Sequence, residues 1–180
     1  MEKKATKAVT VGDVQIGGDA PVSVQSMTNT DTRNIGETVD QIKRLEEAGC
    51  ELIRVAIPDY EAATKVDKIK AEIDLPLIAD IHFDHKLALE VLERGIDGLR
   101  INPGNIGGEK KVKAVATKAL AKKVPIRVGV NGGSLEKELL EKYGHPTAEA
   151  MVESALKHIR LLEKYDFYDI IISLKASEVP

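Results

Sequence analysis

The feature that most constrains the fold of this chain is a regular alternation of short β-branched segments with longer segments of helical periodicity. Six segments have the length and the Val and Ile content that are typical of strands. These predicted strands cover residues 22–26, 52–57, 76–81, 98–101, 126–130 and 169–174. Because strands that alternate strictly with helices form a parallel sheet with helices outside it, the pattern predicts an α/β fold.

The helices between these strands are predicted from apolar residues spaced three or four positions apart. Asn34 and Glu37 form a start signal for a helix over 34–48, and another helix is predicted over 60–73. Two later helices carry apolar stripes that should face the core. The stripes are Val112, Val115, Ala116, Ala119 and Leu120 over 109–121, and Val152, Ala155, Leu156 and Ile159 in the last helix.

The first twenty residues differ from this repeat. Val9–Val11 and Val14–Ile16 flank Gly12-Asp13, a pair that suits a two-residue hairpin turn. No G-x-G-x-x-G motif follows the first strand of the repeat, which weakens a dinucleotide-binding fold. We therefore predict a β-hairpin segment at 1–20, followed over 21–180 by a partial TIM-type (β/α) barrel with six of its eight βα units.

The composition excludes several classes of protein. With 43% hydrophobic residues and a net charge of −3 over 180 residues, the chain is predicted to be globular rather than disordered. It has neither the run of about 18 apolar residues that a membrane span needs nor a secretory signal. Its one cysteine, Cys50, excludes an internal disulfide, is expected to be buried, and favours the cytoplasm. Aromatic residues make up only 3%, so nucleic acid is not expected as a partner.

Every predicted strand carries polar or charged residues near its carboxyl end, which is where parallel βα folds bind ligands. Residues two apart on a strand point to the same face, so several of these residues should face one another. The residues selected in this way are Met27, Arg54, Asp80, His82, Arg100, Asn102, Arg127, Asn131, Ser173 and Lys175. We predict that they line one ligand site rather than being loop residues that face water.

The charge of this set indicates the kind of ligand. It contains four cations and a single carboxylate, that of Asp80, although the whole chain has a net charge of −3. Cations that lose water without gaining a partner are costly, so an anion is expected to complete the site. Because arginine donates paired hydrogen bonds to phosphate, the set favours a diphosphate. The alternative is that the arginines form ion pairs with acidic residues on the surrounding helices.

Asp80 and His82 also have the side chains of zinc or iron ligands. No further His or Glu lies at the ends of the other predicted strands. A polar contact with the substrate is therefore favoured over a metal site, and no metal is predicted for this chain.

Two loops give weaker signals. The segments 102–108 and 132–134 are rich in glycine and precede helices, so their backbone N–H groups are candidate anion ligands. Ser134 is the expected N-cap of the helix after the second loop. His145 and His158 are expected to be ordinary surface residues.

Five segments of the chain, in this order, resemble the N-terminal barrel of the 4-hydroxy-3-methylbut-2-enyl diphosphate synthase family. They are VQSMTNT at 24–30, ADIHFD at 79–84, LRINPGNIG at 99–107, IRVGVNGGSLE at 126–136 and SLKAS at 173–177. The resemblance extends over nearly the whole chain, and five such segments together are highly specific.

The resemblance implies an oxidoreductase of the non-mevalonate isoprenoid pathway. This family opens 2-C-methyl-D-erythritol 2,4-cyclodiphosphate reductively to 4-hydroxy-3-methylbut-2-enyl diphosphate, with two electrons that pass from ferredoxin or flavodoxin through a [4Fe-4S] cluster. The diphosphate ligands that the resemblance implies are Arg54, Arg100, Arg127, Asn131 and Lys175. Asp80, His82 and Asn102 would line the same mouth; we assign the catalytic roles to Asp80 and His82, and we add Met27 and Ser173 to the substrate contacts.

The chain departs from the family pattern in one respect that concerns its activity. The family barrel has eight βα units, and its cluster ligands, three Cys and one Glu, lie in a C-terminal iron–sulfur domain that this chain is expected to lack. The single Cys50 does not supply the several ligands that a [4Fe-4S] cluster needs. The chain is therefore expected to be a fragment without reductase activity on its own, whereas the full-length family forms homodimers.

Two other interpretations stay open at this point. The chain could be a non-catalytic anion-binding module, or a different barrel enzyme similar to the pterin-binding synthases, which also place Asp, Asn, Lys and Arg at strand ends. Turnover after addition of the missing C-terminal part would support the synthase, and tight binding of a pterin would support the last alternative.

Overall fold

The computed structural model describes residues 5–102 and 105–176. The strands are β1 (Val9–Val11), β2 (Val14–Ile16), β3 (Gln25–Met27), β4 (Leu52–Ala56), β5 (Leu77–Ile81), β6 (Gly98–Ile101), β7 (Ile126–Asn131) and β8 (Ile170–Lys175). The α-helices are α1 (Ile35–Glu47), α2 (Tyr60–Ala63), α3 (Val66–Lys70), α4 (His85–Glu93), α5 (Glu109–Lys122), α6 (Lys137–Tyr143) and α7 (Ala148–Glu163). Among these described helices, none is long and apolar enough to cross a membrane.

Strands β3 to β8 form one parallel sheet, in which each strand pairs with the next along the chain. A helix lies in every connection between them. This order is that of a (β/α) barrel wall, because right-handed crossovers place successive strands side by side. The sheet curls into a half-barrel that is preceded by the antiparallel hairpin β1–β2. The predicted fold class is therefore confirmed.

The main hydrophobic core lies between the outer face of the sheet and the helices. On β5, for example, Leu77, Ala79 and Ile81 are fully buried in this core. Because side chains alternate along a strand, the intervening residues Ile78 and Asp80 point to the inner face of the half-barrel. The inner face is thus formed by residues two apart on each strand.

The hairpin packs against the inner face at the amino-terminal end of the strands. Val11 is buried together with Leu52 and Ile78 in a second, smaller core. Gly12 has a φ of +60°, and a Cβ atom at this position would lie 2.7 Å from Cγ of Pro76. The turn of the hairpin therefore needs glycine both for its conformation and for its close approach to β5. With this end covered, the carboxyl ends of the strands form the open mouth.

One predicted helix is divided in the structure. The segment 60–73 contains the two short helices α2 and α3 rather than one. The hydroxyl of Thr64 donates to the carbonyl oxygen of Glu61 at 2.6 Å, a local bond that competes with helix continuation. The apolar residues Val66 and Ile69 are buried as their spacing predicted.

The predicted core stripes of α5 and α7 are partly wrong. Leu120 on α5 is exposed, and so are Val152 and Leu156 on α7. The side of α7 that faces the sheet instead buries the polar residues Ser154 and His158. Apolar spacing identified only Ala155 on this side, because Ser154 and His158 are polar residues that face Glu136 inside the protein. The expectation that His158 lies on the surface is also wrong.

Candidate functional site

The residues predicted at the strand ends face the inside of the half-barrel. Strand pairing places Asp80 beside Arg100, and Arg100 beside Arg127, on the successive strands β5, β6 and β7. Arg54 on β4 lies two residues before Ala56, which pairs with Asp80. Since residues two apart on a strand share a face, charged side chains from four neighbouring strands meet at the mouth.

Asp80 lies at the centre of these charges, and its side chain is only 5% exposed. Arg100 Nη1 donates to Asp80 Oδ1 at 2.9 Å. Arg54 Nε lies 3.5 Å from Asp80 Oδ2, and His82 Nε2 lies 3.3 Å from Asp80 Oδ1. The alternative that the arginines pair with helix acids is thus wrong for Arg54 and Arg100, because a carboxylate on the strand between them takes both.

Arg127 carries a charge that no acidic residue in the described part of the chain balances. Within the described residues, no carboxylate oxygen lies within 4.0 Å of its guanidinium group. Burial lowers the pKa of Arg127, and the positive charges of Arg54 and Arg100 lower this pKa further. We call Arg54, Asp80, Arg100 and Arg127 the arginine cluster. It holds three guanidinium groups and one carboxylate, so its net charge is positive and an anion would relieve the repulsion.

Gly129 makes room for one of these arginines. It lies on β7 between the inward residues Arg127 and Asn131. A Cβ atom at residue 129 would lie 2.6 Å from Arg100 Nε and 2.7 Å from Arg100 Nη2. Glycine thus lets the Arg100 guanidinium lie directly against β7. In the sequence, the only indication that Gly129 makes room for Arg100 was its position between Arg127 and Asn131, two residues already predicted to bind the ligand.

Four of the other predicted ligands lie around the arginine cluster, on β3, β7 and β8. Asn131 and Lys175 pair across β7 and β8 at the mouth, and both are exposed. Ser173 is half-buried two residues before Lys175 on β8. On the opposite side, Arg54 Nε lies 3.3 Å from Met27 Sδ on β3. The inward polar surface therefore extends from β3 to β8.

The glycine-rich loop after β6 is described only in part. Asn102 is half-buried, and its carbonyl oxygen accepts the N–H of Asn105 at 2.9 Å. Pro103 and Gly104 lie outside the described residues, so the predicted anion ligands in this loop stay a prediction. Ile106 is buried in the main core and anchors the end of the loop beneath the helices.

The loop after β7 forms a single 3-10 turn over Gly132–Ser134. Asn131 Oδ1 accepts the N–H of Gly133 at 3.2 Å, so that N–H already has a partner within the loop. The prediction of Ser134 as a helix N-cap is wrong. The N-cap of α6 is Glu136, two residues later, and the helix begins at Lys137.

The carboxylate of Glu136 does not cap its own helix but reaches into the protein. Ser154 Oγ donates to Glu136 Oε2 at 2.8 Å, and His158 Nε2 lies 3.1 Å from Glu136 Oε1. Burial lowers the pKa of His158, although the charge of Glu136 opposes this shift. We call Glu136, Ser154 and His158 the Glu136 cluster. Sequence reasoning missed it because its members lie far apart in the chain and lack a recognisable spacing.

His82, considered above as a metal ligand, and Cys50, the single cysteine, lie at opposite ends of the strands. His82 is 57% exposed at the mouth and keeps its contact with Asp80. Within the part of the chain that the structure describes, no group of three or more His, Cys, Asp or Glu residues could hold a metal ion. Cys50 is buried, as expected, and its Sγ donates to the carbonyl oxygen of Leu52 at 3.0 Å, at the amino-terminal end of β4. It therefore lies at the end of the strand opposite the mouth.

Solved structures with a similar fold are distant in sequence. The dihydropteroate synthase of Yersinia pestis has a TM-score of 0.65 and 14% identity, over 92% of this chain and 61% of that protein's chain. A type I 3-dehydroquinate dehydratase of Clostridium difficile has a TM-score of 0.62 and 16% identity, over 95% of this chain and 81% of that one. At such identities the likeness shows the fold alone.

Curated relatives are much more similar in sequence. The 4-hydroxy-3-methylbut-2-en-1-yl diphosphate synthase (flavodoxin) of Geobacter sulfurreducens is 63% identical over 178 residues, which are 99% of this chain and 50% of that protein. The protein of the same name from Thermodesulfovibrio yellowstonii is 60% identical over 179 residues, 99% of this chain and 51% of that protein. The chain thus spans about half the length of these relatives. Since the family model of the GcpE TIM-barrel domain matches residues 6–180, the chain belongs to that family.

Proposed function

We propose that this chain forms the diphosphate-binding barrel of a 4-hydroxy-3-methylbut-2-enyl diphosphate synthase, an oxidoreductase of isoprenoid biosynthesis. The substrate is 2-C-methyl-D-erythritol 2,4-cyclodiphosphate, whose ring is opened reductively. The single observation that carries the proposal is the arginine cluster, in which one buried carboxylate pairs with Arg54 and Arg100, and Arg127 lies beside them with no carboxylate partner among the described residues. The names of relatives that are 60% and 63% identical support the choice of this diphosphate ester over other anions.

The diphosphate lies at the arginine cluster in this proposal. Arg127 donates with its whole guanidinium group, because no carboxylate of the described residues occupies it. Arg54 and Arg100 keep further N–H groups beyond those that contact Asp80, since a guanidinium has five. Asn131 and Lys175 close the site from the β7–β8 side, with Asn102, Ser173 and Met27 as further contacts.

Asp80 and His82 are proposed as the pair that acts at the reacting carbons. Opening the ring takes up two electrons and two protons and releases a water molecule, so a proton must reach the mouth. His82 is exposed there, with Nε2 held 3.3 Å from Asp80 Oδ1. A histidine held by a carboxylate through one nitrogen can hold or move a proton at the other. Asp80 orients both His82 and the arginines, and His82 contacts the substrate.

The electrons are proposed to come from flavodoxin, which the names of the relatives include, or from ferredoxin. A [4Fe-4S] cluster supplies electron transfer in this family, but the residues of this chain do not fit one. A cluster is held by several protein ligands, whereas the chain has one cysteine, which is buried at the other end of the half-barrel. We therefore place the cluster ligands in a C-terminal domain outside this sequence.

We assign residues 1–20 to a hairpin segment that covers one end, and 21–180 to the barrel portion that binds substrate. The complete enzyme is proposed to be a homodimer in the cytoplasm. The pterin-binding alternative is not favoured, because dihydropteroate synthases share the fold at only 14% identity in the Yersinia pestis example.

The first experiment measures binding of inorganic pyrophosphate by isothermal titration calorimetry at constant salt. Arg127→Met removes the unpaired charge at similar side-chain length, and we expect a loss of affinity of about tenfold or more. Its unfolding free energy should stay equal or rise, because a buried uncompensated cation is removed. Arg160→Met removes an exposed charge on α7 and is the matched control, with less than about a twofold change expected.

Equal binding by wild type and Arg127→Met would refute the proposed anion site. Adding the C-terminal half of a relative, together with reduced flavodoxin, then separates the enzyme from a passive binding module. Turnover of the cyclodiphosphate is expected only when both parts are present. Tight binding of a pterin without any effect of the cyclodiphosphate would instead favour the pterin-binding alternative.

A further inference from the structure

Beside the arginine cluster, the mouth opens into a cleft of about 350 Å³ between the ends of β4 and β5. Most of its wall is apolar. The residues that matter here are Ile57, Pro58, Phe83 and Leu87 on the apolar side, with Asp80 and His82 on the polar side. The proposed role of the arginines in binding diphosphate leaves this cleft unused.

Phe83 is the most unusual residue of the cleft, because its side chain is 72% exposed. Its ring meets that of His82 edge to face, with ring centroids 5.9 Å apart and an interplanar angle of 73°. The next residue, Asp84, caps α4 by accepting the N–H of Lys86 at 2.9 Å. The backbone of Phe83 is thus held between the end of β5 and the capped start of α4, so the ring is presented at the mouth by fixed elements.

The apolar cleft and the arginine cluster adjoin each other and share one residue. Asp80 lines the cleft and also contacts Arg54 and Arg100. A ligand whose phosphates lie at the arginines therefore has its remaining atoms within reach of the cleft. Binding sites commonly combine an apolar wall with a few placed polar groups, so an apolar wall beside cations suits a ligand with one apolar end and one anionic end.

We propose that this cleft binds the branched carbon skeleton of the diphosphate ester and that Phe83 is its specificity-determining residue. The inference rests on the proposed function and extends it, because it assigns a place to the part of the substrate that carries no phosphate. Methyl and methylene groups contact Phe83 and Pro58, and hydroxyl groups lie on the side of His82. The cleft thereby distinguishes an organic diphosphate from inorganic pyrophosphate, which fills only the arginine cluster.

A competing occupant is an apolar side chain of another protein or domain that docks at the mouth. The concave shape and the direct connection to the cations favour a small ligand that carries both an anionic and an apolar part. The two occupants predict different results for ligand binding when Phe83 is shortened. If Phe83 contacts another protein, shortening it leaves the affinities for the cyclodiphosphate and for pyrophosphate unchanged. If Phe83 contacts the substrate, shortening it lowers the affinity for the cyclodiphosphate alone.

The test compares the affinities of the chain for 2-C-methyl-D-erythritol 2,4-cyclodiphosphate and inorganic pyrophosphate by calorimetry. We expect Phe83→Ala to lower the affinity for the cyclodiphosphate by about fivefold or more while pyrophosphate binding changes less than about twofold. Phe83→Leu should retain most of the affinity, because it keeps an apolar contact. Tyr168→Ala removes another exposed ring, at the amino-terminal end of β8, and should change neither affinity.

A second measurement does not depend on truncating the ring. The chain has only two phenylalanines, and the other, Phe167, is fully buried. In NMR spectra of the chain with isotope-labelled phenylalanine, the cyclodiphosphate should shift the ring signals of Phe83 strongly, whereas pyrophosphate should not shift them. If both ligands bind but Phe83 neither shifts nor affects their affinity ratio, this inference is overturned and the proposed function stands. If neither ligand binds the wild type, both are overturned.

Discussion

The arginine cluster on the inner face and the Glu136 cluster beneath α7 are both built from polar groups taken out of water, yet their charges are organised differently. In the Glu136 cluster, one carboxylate that is 25% exposed meets one hydroxyl and one imidazole, and the Ser154 and His158 side chains are buried. In the arginine cluster, one carboxylate faces three guanidinium groups at an open mouth.

The difference shows how a structural polar cluster can be told from a binding site. Complementary polar groups hold two segments together, as the hydrogen bond from Ser154 to Glu136 does for α7 and the loop after β7. A surplus of one sign costs stability and persists where a ligand of the opposite sign completes it. Net charge and access to solvent therefore separate the two clusters more clearly than burial does.

The strongest test removes the central carboxylate of the arginine cluster. Asp80→Asn leaves three guanidinium groups without a counter-charge, and we expect it to lower the unfolding free energy by about 2–3 kcal/mol. Pyrophosphate should recover much of this loss, because it supplies the missing negative charge. Denaturant unfolding with and without pyrophosphate measures both effects.

Glu136→Gln is the matched control for this comparison. It also neutralises a carboxylate that holds buried partners, so it should destabilise the protein, but pyrophosphate should stabilise it no more than it stabilises the wild type. Equal recovery of both variants by pyrophosphate would break the proposed distinction between the two clusters.

A smaller effect is expected from filling the space beside Arg100. The Cβ atom of Gly129→Ala would overlap the Arg100 guanidinium, which must move away from β7. Because the end of this side chain is flexible, the fold should tolerate the change, with pyrophosphate affinity lowered by about fivefold. Gly36→Ala, in the first turn of α1, brings its Cβ only to an ordinary contact of 3.9 Å with Asn34 Oδ1 and should leave the affinity unchanged. Full affinity of Gly129→Ala would show that the position of Arg100 is not critical.

The smallest expected effect is the contribution of the Glu136 cluster to the pH dependence of the unfolding free energy. Burial lowers the pKa of His158 in the folded protein, whereas the unfolded chain takes up this proton near the ordinary value of 6.5. The contribution of neutral His158 is therefore complete above about pH 6.5 and is lost as the pH falls below that value. His158→Gln should make stability less dependent on pH between about 7.5 and 5.5, and the exposed His145→Gln should not.

Denaturant midpoints across this range, compared between wild type and variant, measure the effect. A wild type that gains stability relative to His158→Gln on acidification would show that attraction to Glu136 outweighs burial. That result would mean that Glu136 and His158 form a charged pair in the folded state, so that His158 is not neutral there.

Local sequence patterns were sufficient for most of the half-barrel. The hairpin strands and β6 have the predicted bounds, and α5 ends within one residue of its predicted end. The inward placement of Arg54, Asp80, Arg100 and Arg127 followed from the two-residue repeat of a strand. These features depend on neighbours in the sequence, which is why they could be read from the sequence.

Features that depend on distant residues were missed. Val152 and Leu156 have core spacing but are exposed, because α7 turns its Ser154 and His158 face toward Glu136. The role of Phe83 was also not predicted, since nothing in its neighbourhood indicates that a cleft forms between two strand ends.

The sequence by itself determined the strand and helix order, the surplus of positive charge at the strand ends and the family, because each is a matter of local pattern or residue identity. Tertiary structure decided which charges pair. Only the register of β4 to β7 sets Asp80 between Arg54 and Arg100 and places Arg127 beside Arg100, where no carboxylate of the described residues reaches it. The physical reason is that charges interact over a few ångströms in space, and the distances between strands are fixed by folding rather than by position in the chain.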